Sequence, residues 1–186
     1  MTRTAVLRAL VLTLCSFSPA LPGAAQPPSP TLAAQKAAIA ELAPLVGHWK
    51  GEGWVRMGPG PQQPFAIEER VQPKLDGVAL LVEGHGTSEG PEGETATGHL
   101  ALAVITWDPE KESYLFQTHT GLGHHTDAEL VRLEDGRLRW GFTVPGREIR
   151  YTIDLSGETW HEMGEITMDG GQTWLHFHDM TLTRVE

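Results

Sequence analysis

From Gly47 onward the chain alternates apolar and polar residues with a period of two. The runs are short and are separated by Gly, Pro and Asp turn chemistry at intervals of about ten residues. They predict strands over Trp49–Arg56, Phe65–Pro73, Val78–Gly84, Gly98–Trp107, Ser113–Thr120, Asp127–Leu133, Arg137–Thr143, Glu148–Leu155, Thr159–Thr167 and Thr173–Val185. Alternation is cleanest where Leu138, Trp140 and Phe142 interleave with Arg137, Arg139 and Thr143. It is equally clear where Ile149, Tyr151, Ile153 and Leu155 interleave with Arg150, Thr152 and Asp154, so these strands are half-buried. Leu100–Trp107 is apolar at both parities, which suits a stretch covered on the outside by a helix or an interface. Thr87–Thr97 is polar and Gly-rich and reads as a mobile connection. About ten consecutive strands with tight turns predict a mainly β fold, an antiparallel up-and-down barrel, because closure pairs the edges that an open sheet of that size would expose.

The pattern upstream is different. Strong helix formers over Thr31–Gly47, with Leu32, Ile39, Leu42 and Val46 near one helical face, predict one helix within 31–46, interrupted near Pro44. Residues 26–30 (QPPSP) include three prolines, each without a backbone donor, and read as a short tether. Before it, Arg3 and Arg8 precede an apolar stretch from Ala9 to Phe17, and the small residues Gly23, Ala24 and Ala25 follow. That is the layout of a secretory signal peptide over 1–25. The apolar stretch is well short of the roughly 20 residues a spanning helix needs, and no later segment is apolar enough. The expectation is a periplasmic or secreted protein, cleaved near Ala25, with no transmembrane segment in its mature chain and one barrel domain over 31–186. The single cysteine, Cys15, lies inside the signal and follows Leu14, where a lipoprotein signal would place a small residue. The mature chain then has no thiol for disulfides or metal ligation.

Composition narrows the partners. The 186 residues carry 24 Asp and Glu against 14 Lys and Arg, a formal net charge of −10, which argues against nucleic acid and anionic membranes. Hydrophobic residues make up 40%, enough for a core. No G-x-S-x-G, Walker loop or nucleotide-binding G-x-G-x-x-G in a strand–helix context is present, so binding is favoured over catalysis.

Several side chains stand out. Thr167-Met-Asp169-Gly170-Gly171-Gln-Thr173-Trp174 fits the Asp-box pattern of sialidase propellers. One copy cannot make a propeller, and Asp with two glycines makes a tight hairpin turn. His176 and His178, two apart on the last predicted strand, would share a face. A two-residue turn at Gly170 and Gly171 would set Glu165 opposite His176 and Met163 opposite His178, and a bulge would shift that register. Glu162 and Glu165 point to opposite faces of the ninth strand, so at least one faces the interior. It would need Arg139, Arg150 or Arg184 as a partner, or a raised pKa. Trp140, Glu162 and Glu165 are the candidate ligand contacts. His119, His124 and His125 gather around a Gly-rich turn and read as surface histidines.

The opening Gly47-His-Trp49-Lys-Gly51-Glu-Gly53, together with Arg184 on the last strand, resembles the calycin group of small-ligand barrels (lipocalins, fatty-acid-binding proteins and nitrobindins). That resemblance implies that Trp49 closes one barrel end and stacks with Arg184. The longer G-x-W-x-G-x-G is similar to the start of nitrobindin-type haem barrels, which implies haem held by a histidine near the C-terminus, here His176 or His178. The G-x-W start and the DGG-x-TW and MTLTR segments also resemble an exported bacterial family of unknown function. Three functions fit these residues: a monomeric or weakly dimeric carrier of an apolar or amphipathic small molecule, a haem- or metal-dependent barrel using a lumenal His, and a filled barrel serving as a structural or interaction module.

Overall fold

The computed structural model describes residues 30–56, 58–90 and 92–185; the expected signal segment with Cys15, and the expected tether up to Ser29, lie outside the described residues. The fold opens with α1 (Pro30–Ala40). Pro30 begins this helix rather than ending the tether, because a first-turn residue has no intrahelical N–H bond to lose. The helix also stops earlier than its composition predicts. Pro44 cannot donate to the Ala40 carbonyl, so the chain tightens into a 3-10 turn over Ala43–Leu45.

Ten strands follow: β1 (Gly47–Val55), β2 (Gln63–Lys74), β3 (Ala79–Glu89), β4 (Thr95–Asp108), β5 (Ser113–Thr120), β6 (His125–Arg132), β7 (Leu138–Val144), β8 (Arg147–Asp154), β9 (Thr159–Thr167) and β10 (Leu175–Arg184). Each pairs antiparallel with its sequence neighbours, and β1 pairs with β10, which closes the barrel. The polar stretch read as a connection is mostly strand, since β3 runs to Glu89 and β4 starts at Thr95. At the barrel's edge both faces of a strand meet solvent, so an apolar alternation is not needed to hold one there.

The inward residues form two zones. Near α1 they are fully buried: Trp49, Val71, Leu80, Ile105, Leu130, Leu138, Trp160 and Leu182, packed beneath Ile39, Leu42 and Leu45. Burial of each large side chain is worth about 1.5–3 kcal/mol. Toward the opposite end the inward residues Phe65, Trp140, Phe142, Tyr151 and His178 are only half-buried, so solvent reaches them through the mouth. The glycines of the first strand have a packing role. A Cβ on Gly53 would fall 2.7 Å from both Met180 Cβ and Phe65 Cζ, so its absence lets those side chains lie across β1.

Candidate functional site

At the closed end Trp49 is the Cα partner of Arg184. The guanidinium lies 4.1 Å from the indole centroid, the stack the resemblance implies. Trp49 Nε1 donates to Leu45 O at 2.8 Å, and Arg184 donates to Val46 O and Pro44 O, so the strap before β1 is tied to β10.

Above this floor the lumen wall is aromatic. Trp140 stacks on Tyr151 at 4.5 Å and touches Phe116 at 4.6 Å; Phe65 stacks on His178 at 5.5 Å. The wall follows from parity, because Trp140, Tyr151 and Gly164 are successive cross-strand partners on β7, β8 and β9. Gly164 keeps the wall open there, since a Cβ would meet Tyr151, Phe177 and His178 within 3.1 Å.

His176 and His178 do not share a face. A bulge between them slips the register by one residue: His176 pairs with Glu165, as the hairpin geometry predicts, but His178 pairs with Gly164. Phe177 and His178 therefore both crowd the inner side of Gly164, while His176 stays outside against Trp54 and Asp179, with Nε2 3.0 Å from Asp179 Oδ2. His161 reaches the other oxygen of Asp179 at 3.1 Å. Among the described residues no group of three His, Cys, Asp or Glu side chains is arranged to hold a metal ion. His178 Nε2 is buried with no hydrogen-bond partner, as is Thr120 Oγ1. Burial pushes the His178 pKa down to about 4, so its ring is neutral at ordinary pH.

Glu162 faces the lumen and Glu165 faces out. Glu165 is satisfied there by Arg150 at 2.8 Å, whose guanidinium lies 3.7 Å from the Trp174 centroid. Glu162 is 7% exposed and receives one hydrogen bond, from Trp160 Nε1 at 3.3 Å. Of the two alternatives, an arginine partner or a raised pKa, the second holds: among the described residues no arginine pairs with it, and burial raises its pKa to about 7. A second lumenal carboxyl, Glu69, escaped the sequence reading. It is 9% exposed, has no hydrogen-bond partner among the described residues, and is raised to about 8 by burial and then by the charge of Glu162. Its signal was parity with Phe65, Ile67 and Val71. Tyr151 is pushed up by burial and by Glu162, and stays a neutral phenol.

The Asp-box segment is the β9–β10 turn. Asp169 Oδ1 accepts from Thr173 N at 2.9 Å and from Thr167 Oγ1 at 2.7 Å, and Oδ2 accepts from Thr173 Oγ1 at 2.6 Å. These bonds hold its carboxyl down at about 2. Gly170 and Gly171 take φ of 72° and 89°, which the turn needs. His119 and His125 stack at 6.2 Å on the exposed outer rim, and His124 is exposed beside them.

No family model and no curated protein matches the chain. Solved structures share its fold, two of them as follows. The S-type phycobiliprotein lyase CPES from Guillardia theta is 12% identical at a TM-score of 0.58, with 83% of this chain and 97% of that chain covered. Rv2717c from M. tuberculosis is 12% identical at 0.58, with 80% and 98% covered. The fold is a calycin-like closed barrel. At such identity the likeness carries the architecture and leaves function to the site.

Proposed function

We propose that this protein binds an amphipathic small molecule in its lumen, entering by the end opposite α1. The observation that carries the reading is His178: a neutral imidazole whose Nε2 is buried without a partner on an aromatic wall. A native structure seldom leaves such an atom orphaned, and a ligand's polar end would satisfy it while Trp140, Tyr151 and Phe65 cover the apolar part. The half-exposed inward rings favour an open mouth over a lumen filled by its own side chains. Export after cleavage near Ala25, and a monomeric or weakly dimeric state, belong to the same proposal; the mass of the mature chain and its elution volume test them. Titration with the neutral probe N-phenylnaphthylamine should give saturable fluorescence enhancement, and Trp140→Ala should weaken it about tenfold. A wild-type protein that gives no saturable signal would count against lumenal binding.

A second reading rests on the same atom. A neutral imidazole with a free nitrogen in an aromatic cavity is the donor that axial haem ligation requires, and haem when bound supplies redox or gas-binding chemistry. His178 would hold it, whereas His176 lies outside. Protein purified without refolding from haem-replete cells should then show a Soret band that His178→Ala removes and His176→Ala keeps. Absence of the band leaves the carrier reading in place.

A further inference from the structure

We propose that the lumenal ligand carries a protonated nitrogen, a primary ammonium or an amidinium, seated between Glu69 and Glu162. The inference rests on lumenal binding and deepens it by naming the head group.

Two strands bring these carboxyls inside. Glu69 on β2 stands between its Cα partners Trp49 and Gly84, and Glu162 on β9 stands between Met180 and Ile153. The glycine opposite Glu69 makes its room: a Cβ on Gly84 would fall 2.6 Å from Glu69 Oε1. Glu69 is buried with no hydrogen-bond partner, and Glu162 has only the Trp160 N–H. Among the described residues neither carboxyl is in an ion pair. A carboxyl taken out of water without a partner is costly, and two within electrostatic reach of each other are costlier, because each opposes ionisation of the other. A purely structural interior is more stable with apolar residues at such positions. A cation entering from the mouth supplies what the wall lacks.

The rest of the lumen points the same way. An anionic head group at the depth of the two carboxyls would need a base there; among the described residues Arg147, exposed at the mouth on the parity of Ile149 and Tyr151, has no partner, and the other cations are engaged elsewhere. Lys36, Lys50 and Lys111 pair with Asp76, Glu68 and Asp108, and Lys74 bonds Gln72. Arg150 pairs with the outward Glu165, Arg139 bonds Thr152, and Arg132 and Arg184 bond backbone carbonyls near the closed end. The other titratable or charged groups of lumenal parity are Tyr151 and His178, which burial keeps neutral, and at the rim His99, held below its ordinary value by desolvation, and the cation Arg147. Between about pH 6 and 9 the two glutamates are therefore the lumenal groups that change charge.

Calorimetric titration with naphthylethylamine, naphthylethanol and naphthylacetate, matched in their apolar part, tests this. At about pH 8.5 the amine should bind at least tenfold more tightly than the alcohol, with the carboxylate weakest. The amine's advantage should shrink toward pH 6 as the carboxyls take up protons, while the alcohol's affinity stays level. Glu69→Gln with Glu162→Gln should keep alcohol binding and lose the preference. Equal or tighter binding of the alcohol at high pH, or a preference surviving in the double variant, would overturn the inference. Failure of all three probes to bind would instead remove the lumenal reading on which it rests. If the double variant does not fold, the pH series on the wild type decides.

Discussion

At the closed end Trp49 donates to Leu45 O, Arg184 to Val46 O and Pro44 O, and Tyr114 Oη to Ala38 O at 2.8 Å. Among the described residues Glu69, opposite Trp49 on β2, has no such partner, Glu162 has one long bond from Trp160, and toward the opposite end His178 Nε2 has none. Both zones are built from the same alternating strands and differ in satisfaction rather than in hydrophobicity. Satisfied polar groups in a packed floor do structural work. Unsatisfied ones are a cost that a scaffold alone seldom keeps, and in the proposed reading they mark where a guest would be received.

The contrast can be broken from either side. Trp49→Ala should have the largest effect, because it leaves a cavity under α1 and frees the Arg184 guanidinium; a loss of about 3–5 kcal/mol is expected in urea unfolding. Glu69→Gln should act in the opposite direction. The native carboxyl is raised above its ordinary value, so between about pH 5 and 8 the folded protein keeps a proton that the unfolded chain has released, and wild-type stability falls as pH rises through that window. The variant should flatten this slope and gain roughly 2–4 kcal/mol at pH 8 relative to wild type. A wild-type stability that rises across the same window would contradict the assignment. The smallest effect belongs to Arg184→Lys, which keeps the charge but not the two-pronged donation to Val46 O and Pro44 O; about 1 kcal/mol should be lost, with no change in the pH slope.

Much of the architecture was legible in the residues. Ser113–Thr120 and Thr159–Thr167 are strands to the residue, the Asp169 turn follows from a local motif, and the Trp49–Arg184 stack is the one the calycin resemblance implies. Two features of the site were not. The bulge at Phe177 sits in an unbroken run, His176-Phe-His-Asp179, with no Gly or Pro to announce it, so it was set by packing over Gly164. Glu69 was hidden by its neighbours: between Glu68 and Arg70 it reads as part of a charged surface run, and only the inward Ile67 and Val71 reveal its side. Pattern reading recovers faces well and misses a polar residue placed on the apolar one, which is where function departs from the rules of folding.

Pairing of β1 with β10 has a consequence for biogenesis. The bonds from Arg184 to Val46 O and Pro44 O join residues 138 and 140 positions apart, so the ring cannot close while the chain is still emerging. Until β10 arrives, β1 and β9 each present an unpaired edge. A product truncated before β10 is thus an open ribbon prone to edge-to-edge association.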